Sequence, residues 1–168
     1  MAERQFAQSI DIRVPPDVVL AFLADLHHHR DLHPLIERID DLPPVAERPA
    51  ARRYRVIDRI RLGPLSFRIA YVAEIERIAA DELRAAAWQT PGVEVRTRYR
   101  ATASAEGDTH LHEEARLSAP RLLIGYAHRQ AEAAHRDTFA RLKVLLEHLS
   151  TRRRGGPISR QSSVTSPT

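Results

Sequence analysis

The stretch SAPRLLIGYAHRQAEAAHRDTFARLKVLLEHLS, residues 118–150, predicts a long helix at the end of the domain. It opens on Ser118-Ala119-Pro120, and its apolar residues then recur at helical spacing. A helix of about 29 residues would span about 43 Å at 1.5 Å per residue, enough to lie across a whole sheet. The predicted apolar stripe is small in the middle and leucine-rich toward its C-terminal end: Leu123, Ala127, Ala131, Ala134, Leu142, Leu145 and Leu149.

The segments before this helix alternate polar and apolar residues with the period of two that is typical of β-strands. Strands are predicted over residues 6–14, 53–62, 66–78, 82–89 and 93–101, with a last strand around Leu111, Ala115 and Leu117. Turns are predicted at Gly63-Pro64, Pro91-Gly92 and Glu106-Gly107-Asp108. The pattern indicates an antiparallel meander with one buried face and one solvated face.

Two short helices are predicted between the first strand and the meander. Pro15, Pro16 and Asp17 are typical of a helix start, and apolar residues follow at helical spacing as far as Leu26. A second short helix is predicted through residues 25–34, ending near Pro34. Because a long helix with a small-residue middle cannot fill all the space above a curved sheet, we expect a cavity between them.

The net charge of +4 comes from the C-terminal tail. Residues 151–168 are rich in Gly, Pro, Ser, Thr and Arg, and they contain no acid. Their arginines are Arg152, Arg153, Arg154 and Arg160. We therefore expect one formally neutral domain over residues 1–150 and a disordered tail over 151–168. A neutral domain does not favour nucleic-acid binding, and the tail would make at most weak contact with an anionic membrane surface.

Several classes of protein are excluded or disfavoured. The chain has no cysteine, which excludes disulfides, thiolate metal sites and a cysteine nucleophile. It has no apolar run of membrane-spanning length and no signal-peptide pattern at its start, so a cytoplasmic location is expected. The motifs GxGxxG, GxxxxGK[ST] and GxSxG are missing, which disfavours nucleotide-driven chemistry and serine hydrolysis. We expect no cofactor, and the oligomeric state stays open.

Residues 14–39, VPPDVVLAFLADLHHHRDLHPLIERI, and the closing helix SAPRLLIGYAHRQAEAAHRDTFARLKVLLEHL carry a family resemblance. They resemble the polyketide cyclase/dehydrase-like members of the START-like superfamily (SRPBCC), which has the birch-pollen-allergen-like helix-grip fold. The resemblance covers about residues 4–149. It implies an α+β fold in which a curved antiparallel sheet, with a six-strand meander, wraps around a long C-terminal helix, and two short helices follow strand 1. These motifs are structural, so they identify the fold far better than the function.

The resemblance also implies a hydrophobic small-molecule ligand. Members of the superfamily include lipid and sterol carriers, ubiquinone-binding proteins, plant hormone receptors and aromatic polyketide cyclases, which use a tunnel between the sheet and the long helix. In this chain the residues expected to line that tunnel are Tyr54, Val56, Phe67, Ile69, Tyr71, Val95, Tyr99, Leu111, Ala127, His128, Ala131 and Ala134.

Two carboxylates share the phase of apolar residues on their strands. Asp58 alternates in step with Tyr54 and Val56, and Glu113 alternates in step with Leu111. A buried carboxylate needs a partner, a raised pKa, water or a place near the rim. Such a group can protonate or deprotonate a ligand, but a structural ion pair or a wet strand end is the more common explanation of the pattern.

The nine histidines include one pair at metal-binding spacing and one pair on the long helix. His29 and His33 are four residues apart, but no general base lies between them in the metalloprotease arrangement and no third ligand is assigned. We therefore expect a solvated polar helix there and no metal site. His128 and His135 lie seven residues apart beside the apolar stripe, and His135 joins Asp58 and Glu113 as a candidate catalytic residue.

Three functions are compatible with these patterns. The leading one is binding of a lipid, quinone or polyketide-like molecule in the tunnel. The second is a polyketide cyclase or dehydratase that uses inward-facing acid/base residues. The third is an interaction module with a vestigial pocket.

Overall fold

The computed structural model describes residues 1–33, 35–62 and 65–154. The elements in chain order are β1 (Ala2–Ile12), α1 (Pro16–Leu23), a 3₁₀ helix (Leu26–Asp31), β2 (Ile36–Leu42), β3 (Arg52–Leu62), β4 (Leu65–Ala79), β5 (Glu82–Gln89), β6 (Val93–Ala103), β7 (Thr109–Ala119) and α2 (Ile124–Arg154). Neither helix of the described ranges has the length and apolar character needed to cross a membrane.

All seven strands form one antiparallel sheet in the order β1-β7-β6-β5-β4-β3-β2. The six strands from β2 to β7 are a meander, and β1 adds to its far side against β7. Gly92 and Gly107 occupy the predicted turns with φ angles of 75° and 83°, a region that glycine adopts without strain. The predicted α+β helix-grip architecture is confirmed, while the predicted turn at Gly63-Pro64 lies outside the described residues.

Strand β2 is the one strand that alternation did not locate. Its register against β3 shifts between Ile36 and Arg38, which marks a bulge. Because a bulge inserts one extra residue, Ile36 and Ile39 can both serve the inner face although they are three positions apart. A search for period two misses such a strand.

The ends of β1 and α2 differ from the prediction because β1 and β7 pair along their whole length. Ala2 pairs with Ala119, so β1 begins four residues earlier than predicted and β7 takes Ser118 and Ala119 away from the helix. A turn closed by hydrogen bonds to the Pro120 carbonyl then leads into α2 at Ile124. At its other end α2 runs four residues past the expected domain boundary at 150, and residues 155–168 lie outside the described part.

The second short helix is a 3₁₀ turn and shorter than predicted. Asp25 precedes it, and its side chain accepts a hydrogen bond from the backbone N–H of His27 at 3.0 Å. That contact satisfies one of the free donors of the first turn. The prediction of a solvated polar helix holds for one side only. His27, His28, Arg30 and Asp31 are exposed, whereas Leu26 and His29 are buried.

The buried apolar residues form three groups on the concave face of the sheet. The first joins α1, the end of β1 and the C-terminal half of α2, around Leu20, Leu111 and Leu142. The second covers the inner faces of β2, β3 and β4, around Tyr54 and Val56. The third joins the start of α2 to the ends of β6 and β7. Polar side chains of the inner face lie between these groups.

The buried stripe of α2 differs from the predicted one at several positions. Leu142 is fully buried as predicted, but Leu123 and Leu149 are 39% and 44% exposed, and Ala134 is also exposed. Because α2 packs against β1 and β7, the residues that face the sheet are not the ones that the apolar pattern predicts. Its buried members are Ile124, Thr138, Phe139, Leu142 and Leu146.

The solvated face of the sheet, here called the convex face, carries many arginines that form ion pairs with carboxylates. Arg53 pairs with Glu74 at 2.8 Å, and Arg98 with Glu82. Glu37 accepts from both Arg59 and Arg68, and those two guanidinium groups lower the pKa of its carboxyl to about 2. These carboxylates offset part of the positive charge of the convex face, which weakens its attraction for a polyanion.

Candidate functional site

Strand register brings Gln8, Glu113 and Tyr99 into one row on the concave face. Glu113 of β7 pairs with Gln8 of β1 on one side and with Tyr99 of β6 on the other. Leu83 of β5 completes the row, and both Glu113 and Leu83 are 0% exposed. We call these four residues the deep row.

Glu113 is the polar centre of the deep row. Its Oε2 accepts a hydrogen bond from Gln8 Nε2 at 2.5 Å, and its Oε1 lies 2.6 Å from His135 Nδ1. Tyr99 stands next to Glu113 in the register, and burial followed by the Glu113 charge raises the Tyr99 pKa well above its usual value. A carboxylate in such a buried place is retained because several donors satisfy it.

His135 is carried over this carboxylate by α2. Its ring meets Phe6 of β1 edge-on, with the centroids 5.2 Å apart. The side chain keeps 22% of its surface exposed, whereas that of Glu113 has none. A buried carboxylate that holds one imidazole nitrogen in this way orients the ring and leaves the other nitrogen for a ligand or a proton.

A second histidine, His33, contacts α2 close to His135. His33, just after the 3₁₀ helix, lies 2.7 Å through Nε2 from the Thr138 hydroxyl, one helical turn along α2 from His135. Thr138 itself donates to the Ala134 carbonyl, so its oxygen accepts from His33. Burial, and then the nearby His135, lower the pKa of His33 to about 4.

Asp58 lies at the opposite end of the same face. It pairs with Ile69, four rows from the deep row, which is roughly 26 Å along the strand direction. Burial raises its carboxyl pKa to about 6, and a hydrogen-bonding interaction with Tyr71 opposes that rise. Its Oδ1 has no hydrogen-bond partner among the described residues. The structure therefore brings Glu113 and His135 together and leaves Asp58 apart from them.

A strip of apolar and small side chains connects the Glu113 end of the concave face with the Asp58 end. Neither helix has β4 or β5 among its main packing partners, because α2 packs on β1 and β7 and α1 on β6 and β7. The inner faces of these middle strands consequently stay partly open. We call this set the concave strip; its half-buried members are Ile69, Tyr71, Ala85, Ala87, Val93 and Val95.

The residues predicted to line the tunnel fall into three groups. Tyr54, Val56 and Leu111 are fully packed core residues, at 1% exposure or less. Phe67 is 47% exposed at the Asp58 end of the concave face, and Ala134 is exposed on α2. The remaining residues are half-buried and lie on the concave face of the sheet or on α2 itself: Ile69, Tyr71, Val95, Tyr99, Ala127, His128 and Ala131.

His128 does not share the position of His135. Its Nε2 lies 3.2 Å from the Gln5 carbonyl of the edge strand β1, and its Nδ1 lies 3.9 Å from Glu132. Its ring also meets Phe6 edge-on. The side chain therefore fastens α2 to β1 with its ring nitrogens already near partners.

A separate open cleft of about 500 Å³ lies where the 3₁₀ helix, β2 and β3 meet. It contains the His27–Asp41 contact at 3.2 Å and the Arg52–Asp25 contact at 3.1 Å. Walls of this polarity do not suit a hydrophobic ligand. Of the residues predicted to line the tunnel only Tyr54 contributes; the lining is Asp25, His27, Asp41, Leu42, Pro44, Pro49, Ala50, Ala51, Arg52, Arg53 and Tyr54.

Sequence reasoning missed Gln8, Thr138 and the role of His33. Gln8 alternates in step with Phe6 and Ile10, and Thr138 lies one turn before Leu142, so their phases were available signals. His33 has no such signal, because its contact with α2 joins residues 105 positions apart.

His29 makes the stability of the fold depend on pH. Burial lowers its pKa from 6.5 to about 4, and its Nε2 lies 3.2 Å from the Leu23 carbonyl. The unfolded chain takes up this proton below about pH 6.5 and the folded chain does so only near pH 4, so stability falls as the pH drops through that window. Urea denaturation at pH 7 and pH 4 gives the free energy of unfolding at each pH. Between the two, the wild type should lose on the order of 2 kcal/mol more of this free energy than His29→Gln does.

The exposed His148 supplies the control for this measurement. His148→Gln should follow the wild-type curve over the whole pH range. If the free energy of unfolding depended on pH in the same way in wild type and His29→Gln, His29 would not be held neutral in the folded state.

Residues 3–147 match the family model described as polyketide cyclase/dehydrase and lipid transport. No curated protein matches the chain in sequence. Among solved structures, the Zhui aromatase/cyclase from Streptomyces sp. R1128 is 18% identical, with a TM-score of 0.65 over 92% of this chain and 98% of that one.

Two further solved structures show the same architecture. The di-domain aromatase/cyclase StfQ of steffimycin biosynthesis is 12% identical, with a TM-score of 0.69 over 89% of this chain and 52% of that one. A START superfamily protein from Mycobacterium smegmatis is 12% identical, with a TM-score of 0.59 over 84% of this chain and 98% of that one. At these identities the likeness concerns the fold.

Proposed function

The chain belongs to the polyketide cyclase/dehydrase and lipid transport family, and from that membership we propose that it binds a hydrophobic small molecule on its concave face. The ligand class is a lipid, a quinone or a polyketide-like molecule. It lies between the concave strip and α2, with the deep row at its inner end.

The observation that carries this proposal is the partial exposure of the concave strip. Its apolar members point toward the inside of the fold, where a filled core would leave them fully buried as it does Leu83. Exposed apolar surface on a concave face is the usual character of a ligand site.

The opposite wall supports the same arrangement. Ala127 packs beside Val93 and Val95, and Ala131 follows one turn later, half-buried on the side of α2 that carries His135. Small side chains here keep the helix from filling the space above the sheet.

Ala131→Phe is expected to weaken binding by about tenfold or more, because the added ring takes up volume between α2 and the concave strip. Titration of the purified protein with fluorescent polyprenyl, acyl and polycyclic aromatic probes measures the effect. Mass spectrometry of organic extracts from the native protein identifies the class that it carries.

Ala133→Phe is the matched control, since Ala133 is on the same helix and exposed. It should bind the probes as the wild type does. Equal affinity in the Ala131→Phe and Ala133→Phe variants would place the ligand elsewhere, and no binding of any probe class by the wild type would contradict the proposal as a whole.

The contact between Glu113 and His135 favours a second candidate function, a polyketide cyclase or dehydratase. Cyclisation and dehydration of a polyketide both require a base that removes a proton beside a carbonyl group. His135 oriented by Glu113 is suited to that role, and this pairing is the specific observation that supports an enzyme.

A further inference from the structure

We propose that Nε2 of His135 binds the acidic hydroxyl group of a phenolic or enolic ligand at the inner end of the concave face. This inference rests on the proposed binding function and narrows its ligand class. It follows from the way in which the deep row satisfies Glu113.

Glu113 acts only as an acceptor of hydrogen bonds. Gln8 offers an amide N–H at 2.5 Å, and the Tyr99 hydroxyl keeps its proton because burial and the neighbouring carboxylate raise its pKa. His135 Nδ1 at 2.6 Å must then carry a hydrogen and donate it as well.

This assignment decides the state of the other ring nitrogen. A neutral imidazole with a hydrogen on Nδ1 has a lone pair on Nε2. No described residue forms a hydrogen bond with His135 Nε2, although the side chain is only 22% exposed. This nitrogen is not fully buried, so a molecule that lies beside the ring can reach its lone pair.

The lone pair requires a hydrogen-bond donor, and the neighbouring Phe6 and concave strip favour an otherwise apolar molecule. Phe6 covers one side of His135, and the concave strip lies beyond Thr97 in the next row. A ketone or ether offers no hydrogen to the lone pair. Any hydroxyl group offers one, and a phenol or enol forms the stronger bond because its more acidic proton can be shared with the imidazole.

The test compares 2-naphthol with 2-methylnaphthalene, which has a methyl group in place of the hydroxyl. The quantity measured is the ratio of the two dissociation constants, because the ratio cancels changes that affect both ligands equally. His135→Phe should lower the preference for 2-naphthol by about tenfold relative to the wild type. Glu113→Gln should lower it too, since its amide can donate to Nδ1 and place the imidazole hydrogen on Nε2.

His148→Phe is the control, and its ratio should equal that of the wild type. If both ligands bind and His135→Phe and Glu113→Gln leave the ratio unchanged, the hydroxyl site is disproved while the binding function stands. If the wild type binds neither ligand nor any other hydrophobic probe, the binding function itself is wrong and this inference falls with it.

Discussion

Glu113→Gln is expected to slow proton-transfer turnover of an aromatic polyketide precursor by about 10²- to 10⁴-fold. The carboxylate fixes the hydrogen on His135 Nδ1 and stabilises the imidazolium that forms when Nε2 takes a proton. The amide keeps the size of the side chain and removes the charge. The loss should appear in kcat measured at saturating precursor, with a much smaller change in KM.

Glu114→Gln is the matched control, because Glu114 is the next residue of β7 and lies on the convex face with 64% of its side chain exposed. It should turn over at the wild-type rate. Asp58→Asn tests the other carboxylate, which stands four rows away. Wild-type turnover in both Asp58→Asn and Glu113→Gln would rule out the acid/base roles and leave a carrier.

Leu142→Ala is expected to lower the free energy of unfolding by about 2 to 5 kcal/mol. Leu142 is 0% exposed where α2 meets α1 and the Leu111 end of β7, and truncation there leaves a cavity in the largest apolar group. Chemical denaturation monitored by the far-ultraviolet circular dichroism of α2 gives the value.

Val144→Ala supplies the comparison, because Val144 is on the same helix and 70% exposed. It should change the free energy of unfolding by no more than about 0.5 kcal/mol. Equal losses in the two variants would mean that α2 is not anchored through Leu142.

The two members of the Glu113–His135 pair were each predictable, but their contact was not. Glu113 shares the phase of Leu111 along β7, and His135 sits beside the apolar stripe of the long helix. Each pattern shows which way a side chain turns on its own element. The 2.6 Å contact depends on how far α2 slides along the sheet, which the docking of Leu142 and Ile124 sets.

Asp58 shows the limit of the same reasoning. By phase alone it is equivalent to Glu113, since each alternates with apolar neighbours on one strand. Register separates them, because it places Glu113 beside Gln8 and beneath His135, whereas Asp58 stands beside Ile69 four rows away. A raised pKa at Asp58 and a fully hydrogen-bonded carboxylate at Glu113 follow from those two positions.

The order of most elements and the apolar face of most strands follow from the sequence, because periods of 2 and 3.6 are local properties of the chain. The family follows from the resemblance carried by residues 14–39 and the closing helix. The bulged strand β2, the start of α2 at Ile124 and the His33–Thr138 and His135–Glu113 contacts depend on the tertiary structure. These features join residues up to 105 positions apart, and their geometry comes from packing and strand register. Local periodicity carries no information about either.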